Sequence, residues 1–525
     1  MDATLGHVMT ITGAAMTASV ELDPDALARS IRIGSLVKVP TAGLDVIGTV
    51  SGFAWEPGEP PRRTLSADLL GELGSDPDGV RRFRRGVSQY PVSGAAMVAA
   101  NDADLGAIYV KPQAVSARIG SLYHERERAA YVLTDELLAK HFAVLGTTGS
   151  GKSCAVTLIL RSIIAADPYA HVVVLDPHNE YAAAFGDRAE AINIDNLQLP
   201  FWLLDHEEAV EALVRGGTPE EQQSQATILK EAVTLARRKY AGDTSTNSWI
   251  TVDTPVPFRV GDLLQILDEA MGRLDKADSS APYLRLKTRI ESLSNDRRFA
   301  FMFSRVVTRD SLGGVISRLL RIPVGSRPLT IIDLSGVPSE IVDVVVSLLC
   351  RITFDFALWA ERERMPPLLL VCEEAHRYVP NDPNSGLLST TRSIARIAKE
   401  GRKYGVSLGL VTQRPSELSV SALAQCGTLF ALRMGNDLDQ RFVANALPEA
   451  AHGMLAALPG MRPQEAIVVG EGVPLPMRIR FDDLPPDARP RSKSAEFSKS
   501  WREDLAGTDF VDEGIRRWRM QMRQT

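Results

Sequence analysis

The segment from Gly146 to Ser153 constrains the fold of this chain more than any other part of its sequence. It reads GTTGSGKS and matches the phosphate-binding pattern G-x-x-x-x-G-K-[ST]. An apolar run from Phe142 to Leu145 precedes it, and apolar residues at helical spacing follow it. Because a strand, a glycine-rich loop and a helix in this order are the context that the pattern requires, the sequence predicts a P-loop in an α/β domain.

Each residue type of the P-loop has an expected task. Glycines let backbone N–H groups converge on phosphate oxygens, and the helix N-terminus adds its positive end. We expect Lys152 to reach the β- and γ-phosphates and Ser153 to ligate Mg²⁺. The predicted nucleotide-binding residues are Gly146, Thr147, Thr148, Gly149, Ser150, Gly151, Lys152, Ser153 and Cys154.

Further apolar runs predict the rest of the α/β domain. They are His171 to Leu175, Leu329 to Leu334, Leu368 to Cys372, Val406 to Val411, Thr428 to Leu432 and Ala466 to Val469. Continuous apolar runs, unlike alternating ones, indicate strands buried on both faces, and hence a doubly wound parallel sheet.

Between about Asp205 and Ile322 the strand pattern is absent, and helical spacing replaces it. Apolar residues recur at this spacing in two groups, Ile228, Ala232, Leu235 with Ala236, and Leu263, Ile266, Leu267 with Ala270. This pattern predicts a helical insertion in the α/β domain.

The first hundred residues have a different pattern. Short β-like runs are separated by Gly and Pro turns, and they cover His7 to Thr12, Leu36 to Val39, Val46 to Gly52 and Ala107 to Val110. They indicate a small β-barrel or sandwich. We expect the polar stretch from Pro57 to Ser75 to form a long loop or an excursion from the barrel.

Composition excludes several classes of protein. The chain has 59 Lys and Arg against 65 Asp and Glu, a net charge of −6, so any nucleic-acid contact must use a local basic surface. Four scattered cysteines without a CxxC pair are typical of reduced thiols. The N-terminus lacks a signal-peptide pattern, and charges interrupt the most apolar stretch, Ile341 to Ala360. We therefore expect a cytoplasmic protein without a membrane span.

Acidic residues follow two of the predicted strands. Successive strand residues point to opposite sides, so we expect Glu373 to face Mg²⁺ and Glu374 to act as general base. Asp176, after the strand that ends at Leu175, is a candidate for orienting water or Mg²⁺. The alternative for the glutamate pair is two surface acids after a core strand. These carboxylates predict hydrolysis as well as binding.

Two further residues are candidates for contacting the nucleotide. Gln413 follows the apolar run that ends at Val411, and its amide suits a sensor of the γ-phosphate because it donates or accepts without changing charge. Arg402 lies between two glycines in KEGRKYG. From such a turn an arginine could reach a nucleotide bound by the adjacent subunit and stabilise the charge of the transferring phosphoryl group.

A basic strip precedes this arginine. At 100° per residue, Arg392, Arg396, Lys399 and Lys403 share one side of a predicted helix, while Leu387, Ile394, Ile397 and Ala398 occupy the opposite side. Such a strip suits a track of DNA phosphates. A solvated helix face is the alternative, and it is the usual meaning of the pattern.

Four motifs in order now resemble a known family. GTTGSGKS, VVVLDPHNEY, LLLVCEEAHRYVP and AKEGRKYGVSLGLVTQRP, behind a predicted β-barrel, are similar to the HerA hexameric ATPases of the HerA and FtsK superfamily. The resemblance extends from the barrel to about Leu484. It implies an α/β fold with a RecA-like P-loop ATPase core, a parallel sheet, an N-terminal β-barrel and a helical insertion.

The resemblance also implies a function. It indicates ATP and Mg²⁺ as ligands, a homohexamer with ATP between subunits, and double-stranded DNA in the central pore. It matches Lys152, Ser153, Glu373, Glu374, Gln413 and Asp176 to the family's site, with Arg402 as the arginine from the next subunit. A nuclease of the NurA type, or another effector in anti-phage defence, is expected to dock on the barrel.

The expected domains are a barrel at 1–115, an ATPase core at 128–204 and 326–485, a helical insertion at 205–325 and a C-terminal tail at 486–525. Two further functions stay open at this point. The chain could be a scaffold whose nucleotide site controls assembly and activates a bound nuclease or sirtuin-like effector. It could also be a conjugation or secretion ATPase, although these usually need a membrane anchor or a membrane partner.

Overall fold

The computed structural model describes residues 4–520 except 21–24, 26, 28–29, 42, 57–61, 77, 243–247, 274–279, 304–309, 383–387, 448–451, 492–497, 499–500 and 503–506. Within these residues, every helix falls short of the length and apolar character that crossing a bilayer requires. Leu387, which the sequence places opposite the basic strip, lies outside the described residues.

The strands are β1 (Thr4–Ile11), β2 (Ala15–Val20), β3 (Leu36–Pro40), β4 (Leu44–Glu56), β5 (Arg62–Ser75), β6 (Arg81–Arg85), β7 (Ala96–Ala99), β8 (Ser116–Leu122), β9 (Ala129–Leu133), β10 (Phe142–Leu145), β11 (Val172–Asp176), β12 (Ala189–Ile192), β13 (Leu329–Asp333), β14 (Leu368–Cys372), β15 (Val406–Thr412), β16 (Thr428–Ala431), β17 (Glu465–Gly470) and β18 (Met477–Phe481).

The helices are α1 (Asp102–Ile108), α2 (Thr134–Ala139), α3 (Lys152–Ala166), α4 (Ala182–Phe185), α5 (His206–Leu213), α6 (Pro219–Ala241), α7 (Val260–Gly272), α8 (Ala281–Asn295), α9 (Ala300–Phe303), α10 (Leu312–Leu320), α11 (Val342–Trp359), α12 (Leu388–Glu400), α13 (Val420–Leu423), α14 (Asp437–Ala446), α15 (His452–Leu455) and α16 (Thr508–Met520). Short 3₁₀ turns include Ala375–Arg377 and Gly401–Tyr404.

The chain packs into two compact units. Unit 1 comprises Met1–Pro168, Glu374–Asp382 and Ser407–Arg489, and unit 2 comprises Tyr169–Glu373, Pro383–Val406 and Pro490–Thr525. The domain boundaries expected from the sequence stay predictions.

The N-terminal part of unit 1 is a closed β-barrel. Its strands follow the order β2-β1-β7-β3-β4-β5, and pairing of β2 with β5 closes the ring, while β6 pairs with β5 outside it. Closure removes the exposed strand edges that would otherwise pair with other chains. The barrel is filled by apolar side chains that include Leu5, Met16, Val37, Val46, Leu65 and Met97.

Two predictions for this region are wrong. The described part of the stretch from Pro57 to Ser75 is not a long loop: β5 occupies Arg62–Ser75 and pairs along its length with β4, because its alternate residues enter the barrel core. Ala107 to Val110 is not a strand: Ala107 and Ile108 end helix α1, which begins with a capping box between Asn101 and Asp104.

Unit 1 also contains a mixed sheet in the order β15-β10-β16-β17-β18-β8-β9. Strand β10 runs parallel to β15 and β16, as the apolar runs predict. Ala466 to Val469 was expected among the parallel strands, but β17 runs antiparallel to β16. Strand β17 begins the antiparallel edge of a mixed sheet, because it pairs antiparallel with β18, which in turn pairs antiparallel with β8.

Unit 2 is a four-stranded parallel sheet with the predicted helical insertion. The strand order is β12-β13-β11-β14, and all pairs are parallel. Helices α5 to α8 fall within the predicted insertion. The buried stripe of α6 differs from the prediction, because Leu235 is 51% exposed while Leu229 and Val233 are buried. In α7 the buried residues are Leu263 and Leu267, as expected.

Candidate functional site

The P-loop connects β10 to α3 in unit 1. Gly149 and Gly151 have φ angles of 75° and 100°, in the left-handed region that favours glycine. A Cβ at Gly146 would lie 2.8 Å from the Cβ of Leu432, so only glycine fits there. Among the described residues, no partner accepts a hydrogen bond from the backbone N–H groups of Thr148, Gly149 and Gly151. The loop therefore presents donors of the kind that bind phosphate oxygens.

Neighbouring strand ends hold this loop in place. The N–H of Thr147 donates to the carbonyl of Arg433, at 3.0 Å, and the Thr147 hydroxyl donates to the same oxygen, at 3.1 Å. The Lys152 ammonium is mostly buried and donates to the Thr147 carbonyl at 3.3 Å. Lys152 thus lies over the loop, at the position where the sequence predicts contact with phosphates.

Gln413 contacts the P-loop directly. The Thr148 hydroxyl donates a hydrogen bond to Oε1 of Gln413, the residue that follows β15. Strand β15 lies beside β10, and Thr412 pairs with Leu145. The structure therefore brings together the phosphate loop and the amide that the sequence predicts as a γ-phosphate sensor.

Glu374 occupies a constrained position in unit 1. It follows Glu373, has φ 52°, and is 6% exposed. A positive φ at a residue other than glycine stores strain, and such residues cluster at functional sites. Its Oε2 lies 3.3 Å from Nδ1 of His376, which is on the 3₁₀ turn Ala375–Arg377. The pair of glutamates is buried, in contrast to the alternative of two surface acids.

Glu373 belongs to unit 2, where it accepts a hydrogen bond of 2.6 Å from the Tyr181 hydroxyl. Both side chains are buried. Burial, followed by the charge of Glu373, raises the pKa of Tyr181 well above its ordinary value, so the phenol stays protonated and donates. This bond fixes the orientation of the carboxylate that the sequence assigns to Mg²⁺.

Asp176 ends β11 in unit 2, and it organises its own loop. Its Oδ2 accepts from the N–H groups of Glu180 and Tyr181 at 2.8 and 3.0 Å, and its Oδ1 accepts from that of His178 at 3.2 Å. Burial raises its pKa to about 6. These hydrogen bonds are those of a residue that positions Tyr181, and its expected role toward water or Mg²⁺ stays a prediction.

Arg402 lies on the 3₁₀ turn Gly401–Tyr404 in unit 2. Its side chain is exposed, and among the described residues it forms no ion pair or hydrogen bond. The turn is anchored by Tyr404, whose ring packs edge-to-face on Phe354 with 5.5 Å between the ring centroids. Arg402 is thus presented to the surface on an anchored turn.

The basic strip divides into two kinds of residue. Arg392 is ion-paired with Glu207, and Arg396 contacts Asp355 at 3.2 Å while lying 4.5 Å above the Phe354 ring. Lys399 and Lys403 are exposed, although Lys403 follows the end of α12 and lies near Tyr404. Buried Ile394, Ile397 and Ala398 confirm the predicted apolar side. Two of the four predicted DNA-binding residues therefore already have acidic partners.

Sequence reasoning missed several residues that complete these arrangements. Tyr181 lies in the quoted motif VVVLDPHNEY, and His376 in LLLVCEEAHRYVP, so both were within reach of the motif analysis. Arg433 contributes only its backbone carbonyl, at the end of a distant strand. Every residue has a backbone carbonyl, so the residue type at this position does not indicate the contact.

Comparisons with known proteins agree with this geometry. Residues 117–353 match the family model described as "Helicase HerA, central domain". The chain is 27% identical over 385 residues to the DNA double-strand break repair helicase HerA of Pyrococcus furiosus, covering 66% of each chain. It is 24% identical over 437 residues to the protein of the same name from Sulfolobus acidocaldarius, covering 81% of this chain and 80% of that relative.

Among solved structures, VirB4 of Thermoanaerobacter pseudethanolicus matches with a TM-score of 0.51 and 16% identity, over 72% of this chain and 99% of that chain. At this level of identity the match shows a shared fold. The expected α/β P-loop ATPase fold is thereby confirmed.

Proposed function

We propose that this chain, which resembles HerA helicases in its central part and over most of its length, is a P-loop ATPase of the HerA family that hydrolyses ATP to move along double-stranded DNA as a hexameric ring. The observation that carries the proposal is the hydrogen bond between Thr148 and Gln413. It joins the phosphate loop to the end of a neighbouring strand, so the loss of a γ-phosphate can alter both elements together.

The side chains supply the chemistry of hydrolysis. We assign Lys152 to the β- and γ-phosphates and Glu374 to the proton of the attacking water. Ser153 and Glu373 stay the predicted Mg²⁺ ligands from the sequence, because hard oxygen ligands suit this ion. Within unit 2, the Tyr181 hydroxyl keeps the Glu373 carboxylate oriented. Bound Mg²⁺ would offset the negative charge of the phosphates.

Arg402 is proposed to act on ATP held by the adjacent subunit. Its guanidinium is exposed and has no partner among the described residues, while the turn below it is anchored by Tyr404. An arginine in that state is available to the charge that develops on a transferring phosphoryl group. Hydrolysis would then depend on assembly.

Lys399 and Lys403 are the proposed DNA contacts from the basic strip. Both are exposed, and neither has an ion-pair partner among the described residues, in contrast to Arg392 and Arg396. Lysines bind phosphates without reading sequence, which suits a motor that must move over any DNA.

We propose that a nuclease or a defence effector binds the barrel. On the β4–β5 hairpin, Phe53 and Trp55 are 41% and 55% exposed, and Arg63 lies 5.1 Å above the Trp55 ring. Exposed aromatic and arginine side chains are the residues enriched at protein interfaces. If the chain were only an ATP-controlled scaffold, Glu374→Gln, which should bind ATP without hydrolysis, would support the partner's activity as well as the wild type does.

The test of the proposed function is DNA-stimulated ATP hydrolysis. Arg402→Ala should bind ATP with unchanged affinity and lose about 10³-fold or more of its turnover, since an arginine finger contributes on that order. In mixtures of wild type with Glu374→Gln, activity should fall faster than dilution. An Arg402→Ala variant with full turnover, or a linear decline in the mixtures, would contradict coupled subunits.

A further inference from the structure

A chain of buried side chains links Glu374 to the end of β15. The His376 Nδ1 atom lies 2.9 Å from the Thr412 hydroxyl and 3.3 Å from Oε2 of Glu374. The side chains of His376 and Glu374 are 11% and 7% exposed, and Thr412 is fully buried. All three residues belong to unit 1. The imidazole therefore lies between a carboxylate and a strand end with little access to water.

The Nδ1 atom of His376 is hydrogen-bonded to the Thr412 hydroxyl at 2.9 Å, and either group can be the donor. The same Nδ1 atom lies 3.3 Å from Oε2 of Glu374, which is an ion-pair distance without hydrogen-bond geometry. Burial, the largest influence, lowers the pKa of His376, which favours the neutral ring.

Thr412 is itself tied to the nucleotide-binding elements. Its hydroxyl accepts from the N–H of Arg414 at 3.0 Å, and its carbonyl accepts from the N–H of Gly146 at 3.3 Å. The next residue is Gln413, whose amide contacts Thr148. A displacement of Gln413 or of the P-loop would therefore move Thr412, and with it the His376 ring.

We propose that His376 is a positioning residue that couples the nucleotide-sensing end of β15 to the orientation of the Glu374 carboxylate. The inference rests on the proposed role of Glu374 as general base. With the ring in place, the carboxylate is held for proton abstraction from water, and a shift of Thr412 releases it. The positive φ of Glu374 is a strained backbone conformation of the kind that clusters at active sites and switch regions.

Two substitutions separate positioning from packing. His376→Leu removes both ring nitrogens, whereas His376→Asn retains a polar group near the position of Nδ1. We expect His376→Leu to lower kcat about tenfold or more with KM and ATP affinity within about twofold, as for an interaction made only in the transition state. His376→Asn should recover most of that loss. If His376→Leu keeps kcat within about twofold of wild type, or if His376→Asn is as impaired as His376→Leu, the inference is overturned.

Thr412→Val provides a second readout that does not alter the histidine. It should lower kcat with little change in KM, and it should have little further effect when combined with His376→Leu, because both act through one contact. Unchanged turnover of Thr412→Val would overturn the coupling, even if His376→Leu failed to fold.

Wild type and Glu374→Gln are measured in the same assay. If the wild type is active and Glu374→Gln keeps its turnover, the general-base assignment is overturned, and the inference that rests on it is overturned as well. If turnover of the wild type depends on Glu374 but the His376 and Thr412 variants have normal turnover, the inference is overturned and the general-base assignment stands.

Discussion

Tyr181 and Glu373 show how much of the site depends on single buried contacts. The motif containing Tyr181 was recognised from sequence, but its partner lies 192 positions away, and the pairing appears only once β11 and β14 lie side by side. The P-loop residues, in contrast, could be assigned from sequence because the loop, its strand and its helix are contiguous. Local chemistry was predictable, and long-range contacts such as His376 with Thr412 were not.

Tyr181→Phe tests the role assigned to this contact. Removing the hydroxyl should raise the Mg²⁺ concentration needed for half-maximal ATP hydrolysis several-fold, because the Glu373 carboxylate loses the donor that orients it. The free energy of unfolding should fall by about 1–3 kcal/mol, as for a hydrogen bond to a charged buried group. Mg²⁺ titrations and urea unfolding measure the two effects. Tyr169→Phe, at a residue that is 78% exposed, is the matched control and should change neither.

Elements could be predicted from sequence to different degrees. Most parallel strands are continuous apolar runs, and the sequence predicts their positions to within a residue or two at most ends. Strand β12 (Ala189–Ile192) was missed because its sequence, AEAI, contains a charged residue and is short. Strand β5 was missed because its proline-rich flank suggested a loop, and the residues before Arg62 carry those prolines. Helix α1 was missed because its short apolar run resembles a strand, and its capping box outweighs that pattern.

Helix α12 supports a prediction about DNA binding. Lys399→Ala combined with Lys403→Ala should weaken binding to duplex DNA of any sequence and reduce the slope of log affinity against log salt by about two. Arg392→Ala combined with Arg396→Ala is the matched control for charge, and it should change the slope less, because Glu207 and Asp355 already pair with these arginines. Equal slopes for the two double variants would show that the ion pairs do not decide which residues contact DNA.

Strand β6 supports a prediction about stability. Arg85 donates to the carbonyls of Gly470, Val473 and Pro474, which joins the barrel's outer strand to the β17–β18 hairpin within unit 1. Arg85→Leu should lower the free energy of unfolding by about 1–3 kcal/mol, since it leaves carbonyl groups without a donor. Arg84 lies on the same strand as Arg85 and forms an exposed ion pair with Asp76. Arg84→Leu removes this pair and should lower the free energy of unfolding by less than about 1 kcal/mol. Similar losses in urea unfolding would argue against a special role for Arg85.

For the whole molecule, the proposed ATP hydrolysis depends on assembly. Unit 1 contains the P-loop, the Gln413 amide that contacts it and the buried Glu374, and unit 2 contains the exposed Arg402 on an anchored turn. The sequence predicted all of these residues, but the requirement for a second copy came from the family resemblance. The proposed partner surface on the barrel depends on single exposed side chains such as Trp55, which form no recognisable sequence motif.

The dependence of ATP hydrolysis on ring assembly is tested most directly by comparing oligomeric state with turnover over a series of protein concentrations. Analytical ultracentrifugation gives the fraction of chains in rings, and DNA-stimulated ATP hydrolysis per chain is measured on the same samples. We expect turnover per chain to follow the ring fraction and to disappear when the protein dissociates into monomers. A monomeric protein that hydrolyses ATP at the full DNA-stimulated rate would contradict it.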